Sequence, residues 1–493
     1  MIPDLPDLQC AWALLLHCAV PRSNHYIRSL PPSQVHAYAA GHDRALQKVL
    51  RQMVGVSEDI ADEEKERIAN LSTLPMGLGG MGIRSATRLR EAAYWASWAD
   101  AIPMLKQRCP EAARELVSSL ASSQLNSNDC LREVQNSRAN LQQAGIALPS
   151  WQDIWDGIQP EQATNPEPGE WRHGWQYVAS SELEKHFRRT QVEPSLSEDS
   201  MSLLRSQSGC CAGRHLTLIP KDAESTFTSE RFRGLLQRRL RLPLQFVARR
   251  CNGRTCRCLL GERGDHRSAC SRAGRLVIRS SPVERMWARV CREGGARVST
   301  NAFLRDMNIS NIDVRDGRRI EVLANGLSLY HGTQVAIDAT IISPLKANGR
   351  AAHNSNRYDG AAIREAIKVK ERTYPELVNN PRCKLLVAPV EIGGRWGEDA
   401  YNFLVAMAEA KVRASPIILR RALLNAYTRR WTGMISYAVQ DAFAASILED
   451  SPAYTMHTDG NEPHTGSLVA NDASEAPGIS ISDCIDVGEL LTA

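Results

Sequence analysis

The spacing of hydrophobic residues changes along the chain. Apolar residues recur at three- and four-residue intervals in Leu5–Val20, Ser33–Val54 and Arg88–Ala101, which predicts amphipathic helices. Between the last two, the segment Leu74–Ile83 has four glycines in six consecutive positions, which favours a tight backbone path rather than a helix. Residues 1–145 are therefore expected to form a helical region.

The pattern beyond residue 145 divides the rest of the chain. Polar stretches at 158–170 and 191–209 have the composition of linkers, and after residue 280 helical and strand-like patterns alternate. We predict a multi-domain α+β protein. Its expected parts are a helical region (1–145), a linker with a helical segment (146–230), an arginine-rich segment (231–280), an α/β domain (281–448) and a disordered acidic tail (449–493).

Charge is distributed unevenly. The tail contains nine acidic residues and no Lys or Arg, whereas the segment 231–279 contains 14 Arg and only two acids. Such a density of positive charge favours a polyanionic partner, and the planar guanidinium binds phosphates and stacks on bases. The candidate nucleic-acid-binding residues are Arg238, Arg239, Arg241, Arg249, Arg250, Arg254 and Arg257. A solvated arginine-rich face is the alternative.

Cysteine and histidine cluster in the same segment. Cys256, Cys258, His266 and Cys270 form a C-x-C-x7-H-x3-C array, and thiolate and imidazole are the ligands that Zn²⁺ prefers in closed structural sites. Cys251 is a possible alternative to either of the first two cysteines, and Asp265 could orient the imidazole. The chain has 13 cysteines and no export signal, which favours a reducing compartment and metal binding over disulfides.

Two strand-like runs carry a pair of carboxylates. If Arg318–Ala324 and Gln334–Ile342 form a hairpin, residues whose numbers sum to 659 lie opposite each other, and Glu321 faces Asp338. Two such acids repel each other unless a cation such as Mg²⁺ or Mn²⁺ lies between them. An ordinary hairpin with two exposed acids is the alternative.

A lysine that could accompany these acids lies on the next predicted helix. A D-x-K arrangement would place it at position 340, which is Thr. On the helix predicted for Asp359–Tyr374, Lys370 and Tyr374 occupy positions where a buried face would carry Leu or Ile. A core-facing lysine is costly unless it is paired, and the two carboxylates could pair it.

These residues, in this order, resemble the C-terminal region of non-LTR retrotransposon polyproteins that carry a restriction-like endonuclease. Leu5–His25 and Leu74–Ser97 resemble the reverse transcriptase thumb and connector, Phe232–Leu244 and the CRC…GDHRSAC run resemble the basic segment and zinc knuckle, and Arg319–Thr340 with Lys370–Tyr374 resembles the PD-(D/E)XK nuclease. The family's Arg-Pro-Asp appears here as Arg319-Ile320-Glu321, and 16 residues separate the two acids.

The resemblance implies a restriction-endonuclease-like domain with a mixed sheet, which nicks target DNA so that the new 3′ end primes reverse transcription of the element's RNA. It implies that Glu321 and Asp338 hold Mg²⁺ or Mn²⁺, that Lys370 stabilises charge on the phosphate and that Tyr374 supports the site. Glu284, on the preceding helix, is expected to add a water-mediated carboxylate.

Three possibilities remain open on the sequence. The first is a metal-dependent DNA endonuclease, and the second is a catalytically inactive, zinc-containing remnant that binds DNA or RNA. The third is a folded but inert fragment of a decaying element. The chain contains no adjacent Asp-Asp pair, so no polymerase activity is expected from it. Target DNA and element RNA are the expected partners, a membrane is not, and the expected location is the nucleus or otherwise the cytoplasm.

Overall fold

The structure is a computed structural model that describes residues 1–448 except 123, 161–173, 245–249, 252–254, 274, 308, 310 and 311. The predicted tail, most of the first predicted linker, and Arg249 and Arg254 therefore lie outside the described residues. None of the described helices is both long and apolar enough to cross a membrane.

The N-terminal region is helical, as its periodicity predicts. The expected helices at 33–54 and 88–101 are present with slightly different ends, and the first expected helix is shorter and continues as a π-helical turn. The helices are α1 (Leu8–Leu14), α2 (Asn24–Ser29), α3 (Pro32–Met53), α4 (Asp62–Thr73), α5 (Ala86–Arg108), α6 (Pro110–Ala121), α7 (Asp129–Gln143), α8 (Trp151–Trp155) and α9 (Trp175–Phe187).

The glycine-rich segment between α4 and α5 follows the tight path that its composition predicts. Gly79 has a φ of +92°, where side chains are strained, and a Cβ on Gly80 would lie 2.1 Å from the carbonyl oxygen of Leu74. The loop pairs with a second loop through an isolated bridge between Leu78 and Ser208. The glycines thus allow two distant parts of the chain to pack closely.

Three further helices lead to the sheet and four accompany it. The first group is α10 (Glu198–Ser206), α11 (Ser229–Arg239) and α12 (Asp265–Ala269). The second comprises α13 (Arg275–Glu293), α14 (Ala361–Thr373), α15 (Glu398–Val412) and α16 (Ile417–Leu448), and the strands are β1 (Arg297–Phe303), β2 (Arg319–Asn325), β3 (Gln334–Ile342) and β4 (Cys383–Glu391).

The described strands form one mixed sheet in the order β1-β2-β3-β4. The first three strands are antiparallel, and β4 pairs in parallel with β3 after the crossover helix α14. Val335, Ile337 and Ala339 of β3 pack into one core with α13, α15 and α16, while Ala336 joins a smaller cluster that includes Tyr374. Because side chains alternate along β3, its even-numbered residues face α14. The helix-rich α+β fold class is as expected.

Helix α16 joins the two largest hydrophobic cores. Its first half packs with the sheet helices, and its last turns, at Phe443 and Ile447, pack with the N-terminal helices and α11. A buried ion pair lies at this junction, where one guanidinium nitrogen of Arg231 is 2.9 Å from both carboxylate oxygens of Asp441. Because both groups are buried and have lost their hydration, the charge of each is stabilised by the charge of the other.

The substitution Asp441→Ala is expected to lower the free energy of unfolding by about 3–5 kcal/mol, because it removes the carboxylate that neutralises the buried charge of Arg231. Chemical denaturation would measure the loss. Asp62→Ala is the control, since Asp62 forms an exposed pair with Lys65 at 3.0 Å and should cost at most about 1 kcal/mol. Equal losses of unfolding free energy in the two variants would show that the buried pair contributes no more to stability than the exposed pair.

A second buried acid lies at the end of β4. Glu391 is buried where the chain turns back, and its backbone nitrogen donates to the carbonyl of Arg395 at 2.8 Å. Loss of hydration raises the pKa of Glu391 to about 7, an effect that the nearby charge of Arg395 and a hydrogen bond with Ser206 only partly oppose.

Because the folded-state pKa of Glu391 lies above the unfolded value, its contribution to stability is complete below about pH 4.5 and disappears as the pH rises through 7. Glu391→Gln should therefore become more stable than the parent across this range, with a relative gain on the order of 3 kcal/mol above pH 8. Urea denaturation from pH 4 to 8.5 would test this. A stability difference that does not change with pH would contradict it.

Candidate functional site

The register of β2 and β3 is the one that the sequence predicts. Val322 pairs with Ile337 and Ala324 with Val335, so the numbers of opposing residues sum to 659. One step further toward the site, a carboxylate oxygen of Glu321 accepts a hydrogen bond from the backbone nitrogen of Ala339 at 2.6 Å. The strand pair thus brings Glu321 next to Asp338.

The lysine on α14 reaches the same place. The ammonium nitrogen of Lys370 lies 2.6 Å from one carboxylate oxygen of Asp338 and 2.9 Å from the other. Asp338 is only 1% exposed, whereas the lysine is partly open to solvent. Lysine and carboxylate therefore compensate each other, as the position of Lys370 on the helix predicts.

Tyr374 completes this group. The residue follows the last residue of α14 rather than lying within the helix, and its hydroxyl donates to the backbone carbonyl of Arg319 at 2.9 Å. Burial raises the pKa of Tyr374, and the negative charge of nearby Asp338 raises it further. A neutral hydroxyl thus ties the end of α14 to β2 beside the carboxylates. We name Glu321, Asp338, Lys370 and Tyr374 the carboxylate–lysine site.

The site concentrates negative charge. The pKa of Glu321 is raised to about 8, first by loss of hydration, then by the charge of Asp338 and then by that of Glu284 on α13. Glu284 is therefore close enough to act on Glu321, as expected from the sequence. The donor set consists of hard oxygen atoms, which suit Mg²⁺ or Mn²⁺, and a divalent cation would relieve the repulsion among the acids.

An aromatic and guanidinium stack beside the site is absent from the sequence-based predictions. Phe303 pairs with Arg319 across β1 and β2, and its ring lies between two guanidinium groups, 4.0 Å from that of Arg319 and 4.2 Å from that of Arg305. Arg319 is two residues before Glu321. No strand is predicted from the sequence at 297–303, so nothing in the sequence indicates that Phe303 and Arg305 lie beside Arg319.

The cysteine–histidine cluster exists in the fold. The ligand atoms of Cys251, Cys256, His266 and Cys270 all lie within 4.8 Å of one another, and all four residues are buried. The sulfurs of Cys251 and Cys270 are 3.8 Å apart, and that of Cys256 is 3.3 Å from Nε2 of His266. A tetrahedral zinc with Zn–S bonds of about 2.3 Å separates two sulfurs by about 3.8 Å, so the geometry fits this metal.

The first predicted ligand pair needs a correction. Cys258 is exposed and its thiol is outside the group, while Cys251, the alternative, is inside it. The cause is local pairing, since Arg250 forms an antiparallel bridge with Leu259 and the backbone nitrogen of Cys251 donates to the carbonyl of Cys258 at 2.8 Å. The two cysteines therefore lie side by side, and Cys251 is the one that turns inward.

The expected role of Asp265 is also wrong. The second ring nitrogen of His266 hydrogen-bonds to the backbone carbonyl of Ala347 at 2.7 Å, which fixes the imidazole with Nε2 toward the sulfurs. Asp265 instead binds Arg238 at 2.6 Å and Arg241 at 3.0 Å. The cluster is thus attached to the loop between β3 and α14.

Three of the arginines proposed to bind nucleic acid are structural. Arg238 and Arg241 are buried in ion pairs, and Arg239 is buried among backbone carbonyls, so none of them can reach a phosphate without unfolding its surroundings. Arg239 donates to the carbonyl oxygens of five residues, Gly80, Ala212, Gly393, Met76 and Gln207. Of the remaining candidates that the structure describes, Arg250 and Arg257 are exposed.

Comparison with known protein families finds no family model that matches the chain, and comparison with curated proteins finds no similar sequence.

If the cluster holds zinc, Cys251→Ser should lose the metal and Cys258→Ser should retain it, because only the first thiol lies among the ligand atoms. Metal content after purification, determined by mass spectrometry, would decide between the two ligand sets. The opposite result would restore Cys258 as a ligand, and absence of zinc from the parent protein would remove the metal assignment.

Proposed function

We propose that the chain is a metal-dependent DNA endonuclease module of a non-LTR retrotransposon, with a structural zinc beside the nuclease. The observation that carries the proposal is the ion pair between Lys370 and the buried Asp338, next to Glu321. A lysine on the sheet-facing side of its helix that pairs with a buried acid beside a second acid is difficult to explain by stability alone, because burial of such groups is costly.

The order of elements supports the same function. From α13 to β4 the chain runs helix, three antiparallel strands, crossover helix and a parallel fourth strand, with the acids on the middle strands and the lysine on the crossover helix. This arrangement agrees with the restriction-like nuclease that the sequence resembles.

In the proposed reaction, Glu321 and Asp338 would hold Mg²⁺ or Mn²⁺, with Glu284 bound through water. The metal supplies a positive charge on the scissile phosphate and activates water. Lys370 would turn from Asp338 to a phosphate oxygen, where its charge stabilises the pentavalent transition state. Water attacks phosphorus and the bond to the 3′ oxygen breaks, which leaves a 3′ hydroxyl able to prime DNA synthesis and a 5′ phosphate.

Arg319 and Arg305 would position the DNA strand beside the carboxylates, because guanidinium groups bind phosphates. The ring of Phe303, which lies between the two guanidinium groups, would hold them in place. Arg250 and Arg257, near the zinc cluster, are exposed and can add phosphate contacts. Element RNA as a second partner, and the nucleus as the location, follow from this proposal.

One observation favours the second candidate function, an inactive nucleic-acid-binding remnant. Lys370 contacts both oxygens of Asp338, so a metal must compete with the ammonium for this carboxylate. If a metal ion cannot displace the ammonium group of Lys370 from Asp338, the chain would bind DNA or RNA through its arginines without cutting it.

Nicking of supercoiled plasmid with Mg²⁺ or Mn²⁺ distinguishes the two functions. Asp338→Ala and Lys370→Ala should each lower the nicking rate by about 10²-fold or more, since loss of one group that stabilises transition-state charge has this order of effect. Glu371→Ala is the control, because that acid lies on the same helix as Lys370 and belongs to none of the site's contacts.

A parent protein that binds plasmid but does not nick it with either metal would support the inactive remnant. Nicking that is unchanged by both substitutions at the carboxylate–lysine site would refute the assignment of catalysis to these residues.

A further inference from the structure

The turn between α15 and α16 presents two isoleucines to solvent. Ile417 is 81% exposed and Ile418 is 89% exposed, and they form the first turn of α16 directly after Pro416. Burial of large aliphatic side chains is favourable. Two adjacent isoleucines at this level of exposure therefore indicate a surface that a partner covers. The following residues of α16, from Leu419 onward, begin to pack on the sheet core.

The same turn is strongly basic. Residues 410–440 contain six Lys or Arg and no Asp or Glu. Four of the six lie within four residues of the isoleucine pair or on the last turn of α15, namely Lys411, Arg413, Arg420 and Arg421. Positive charge around an apolar pair is complementary to a polyanion that also has apolar surface. Nucleic acid has both properties, since its phosphates are negatively charged and its bases are apolar on their faces.

The turn lies well beyond the end of α13. Helices α13 and α16 are antiparallel, with Arg279 against the ring of Phe443 at one end and Glu293 bonded to Arg430 and Trp431 at the other. Glu293 is the last residue of α13, and Ile418 precedes Trp431 by 13 residues. At 1.5 Å per residue, the isoleucines lie about 20 Å beyond the end of α13 along the axis of α16.

Side-chain contacts stabilise the turn. The guanidinium group of Arg420 donates to the carbonyl of Ser415 at 3.0 Å and to that of Arg413 at 2.8 Å, so this arginine closes the turn. Farther along, the ammonium group of Lys411 on α15 lies 5.3 Å from the ring centre of Tyr427 on α16. A partner that binds here therefore meets a preorganised surface and spends little free energy on ordering it.

We propose that this turn, residues 411–421, is a second nucleic-acid-binding element, in which Ile417 and Ile418 insert against bases while Arg413 and Arg421 contact the flanking phosphates. The inference rests on the proposed function, because it extends the contact surface of the same nuclease. Apolar side chains that wedge between base steps, with basic residues around them, are a known way to grip duplex DNA. A membrane is the weaker match, because two isoleucines provide far less apolar surface than an amphipathic anchor helix.

The test uses the full chain and a fluorescein-labelled 40-base-pair duplex, without added divalent cation so that no cleavage occurs. Ile417→Ser/Ile418→Ser is expected to raise the Kd about tenfold, and Arg413→Ala/Arg421→Ala should reduce the slope of log K against log salt concentration by up to about 2, since each phosphate contact contributes about 0.9. Met104→Ser/Leu125→Ser is the matched control, since both residues are exposed, at 50% and 64%, on the N-terminal helical region.

Three outcomes would overturn the inference. The first is a Kd and salt slope that are the same in parent, turn variants and control. The second is a turn variant that loses binding to phosphatidylserine vesicles while its DNA affinity is unchanged. The third is a turn variant whose DNA affinity is unchanged but whose molar mass by light scattering differs from that of the parent, which would indicate that the turn binds a second copy of this chain.

Plasmid nicking by the same variants keeps this inference separate from the proposed function. If the parent nicks plasmid and the turn variants bind DNA as the parent does, the turn proposal fails and the nuclease stands. If no nicking occurs but the turn variants lose DNA affinity, the nuclease fails and the turn stands.

Discussion

A slip of one residue between β2 and β3 would send Glu321 and Asp338 to opposite faces of the sheet, since side chains alternate along a strand. The pairing of Val322 with Ile337 prevents this, because both residues belong to the large core under the sheet and a slip would expose them. The carboxylate–lysine site therefore depends on apolar contacts made on the other side of the strands. Lys370 and Tyr374 of the α14 segment then cover acids whose positions are already set.

Arginine has two different uses in this protein. Arg239 and Arg231 are buried and bind carbonyls or a carboxylate, so their charges hold loops and helices together. Arg413 and Arg250 are exposed, where their charges are available to a ligand. A guanidinium group serves both purposes because it remains charged when buried and has five donors to satisfy. Density of arginine along a sequence thus overstates the basic surface of the folded chain.

Part of this fold follows from local patterns. The helical N-terminal region, the glycine turn, the β2–β3 register and the approach of Lys370 to the acids all arise from periodicity or from the geometry of neighbouring strands. The choice of Cys251 over Cys258 does not, because it depends on how a short bridge orients two adjacent backbones. Local patterns do not predict the burial of Arg238 and Arg241 either, since their partner Asp265 is over twenty residues away and its neighbour His266 is the partner that the sequence indicates.

The stack of Arg305, Phe303 and Arg319 is a further feature that local sequence patterns do not predict. Its members come from two strands and a turn, and each is unremarkable in sequence, so only the register of β1 with β2 assembles them. The cysteine–histidine cluster likewise acquires its hydrogen-bond partner, the carbonyl of Ala347, from a loop 81 residues beyond His266. Contacts of this kind depend on tertiary packing, which single-sequence periodicity does not encode.

Helix α16 has a consequence for how the protein can be divided. Since its two halves are embedded in different cores, a fragment that starts at residue 281 would retain the helix but uncover Phe443, Ala444 and Ile447, because most of the cluster around them comes from the first 244 residues. Such a fragment would expose an apolar stripe and would separate Asp441 from Arg231. The sheet and its helices could therefore be transferred to another protein only together with the helical region before them, or after the C-terminal turns of α16 had been remodelled.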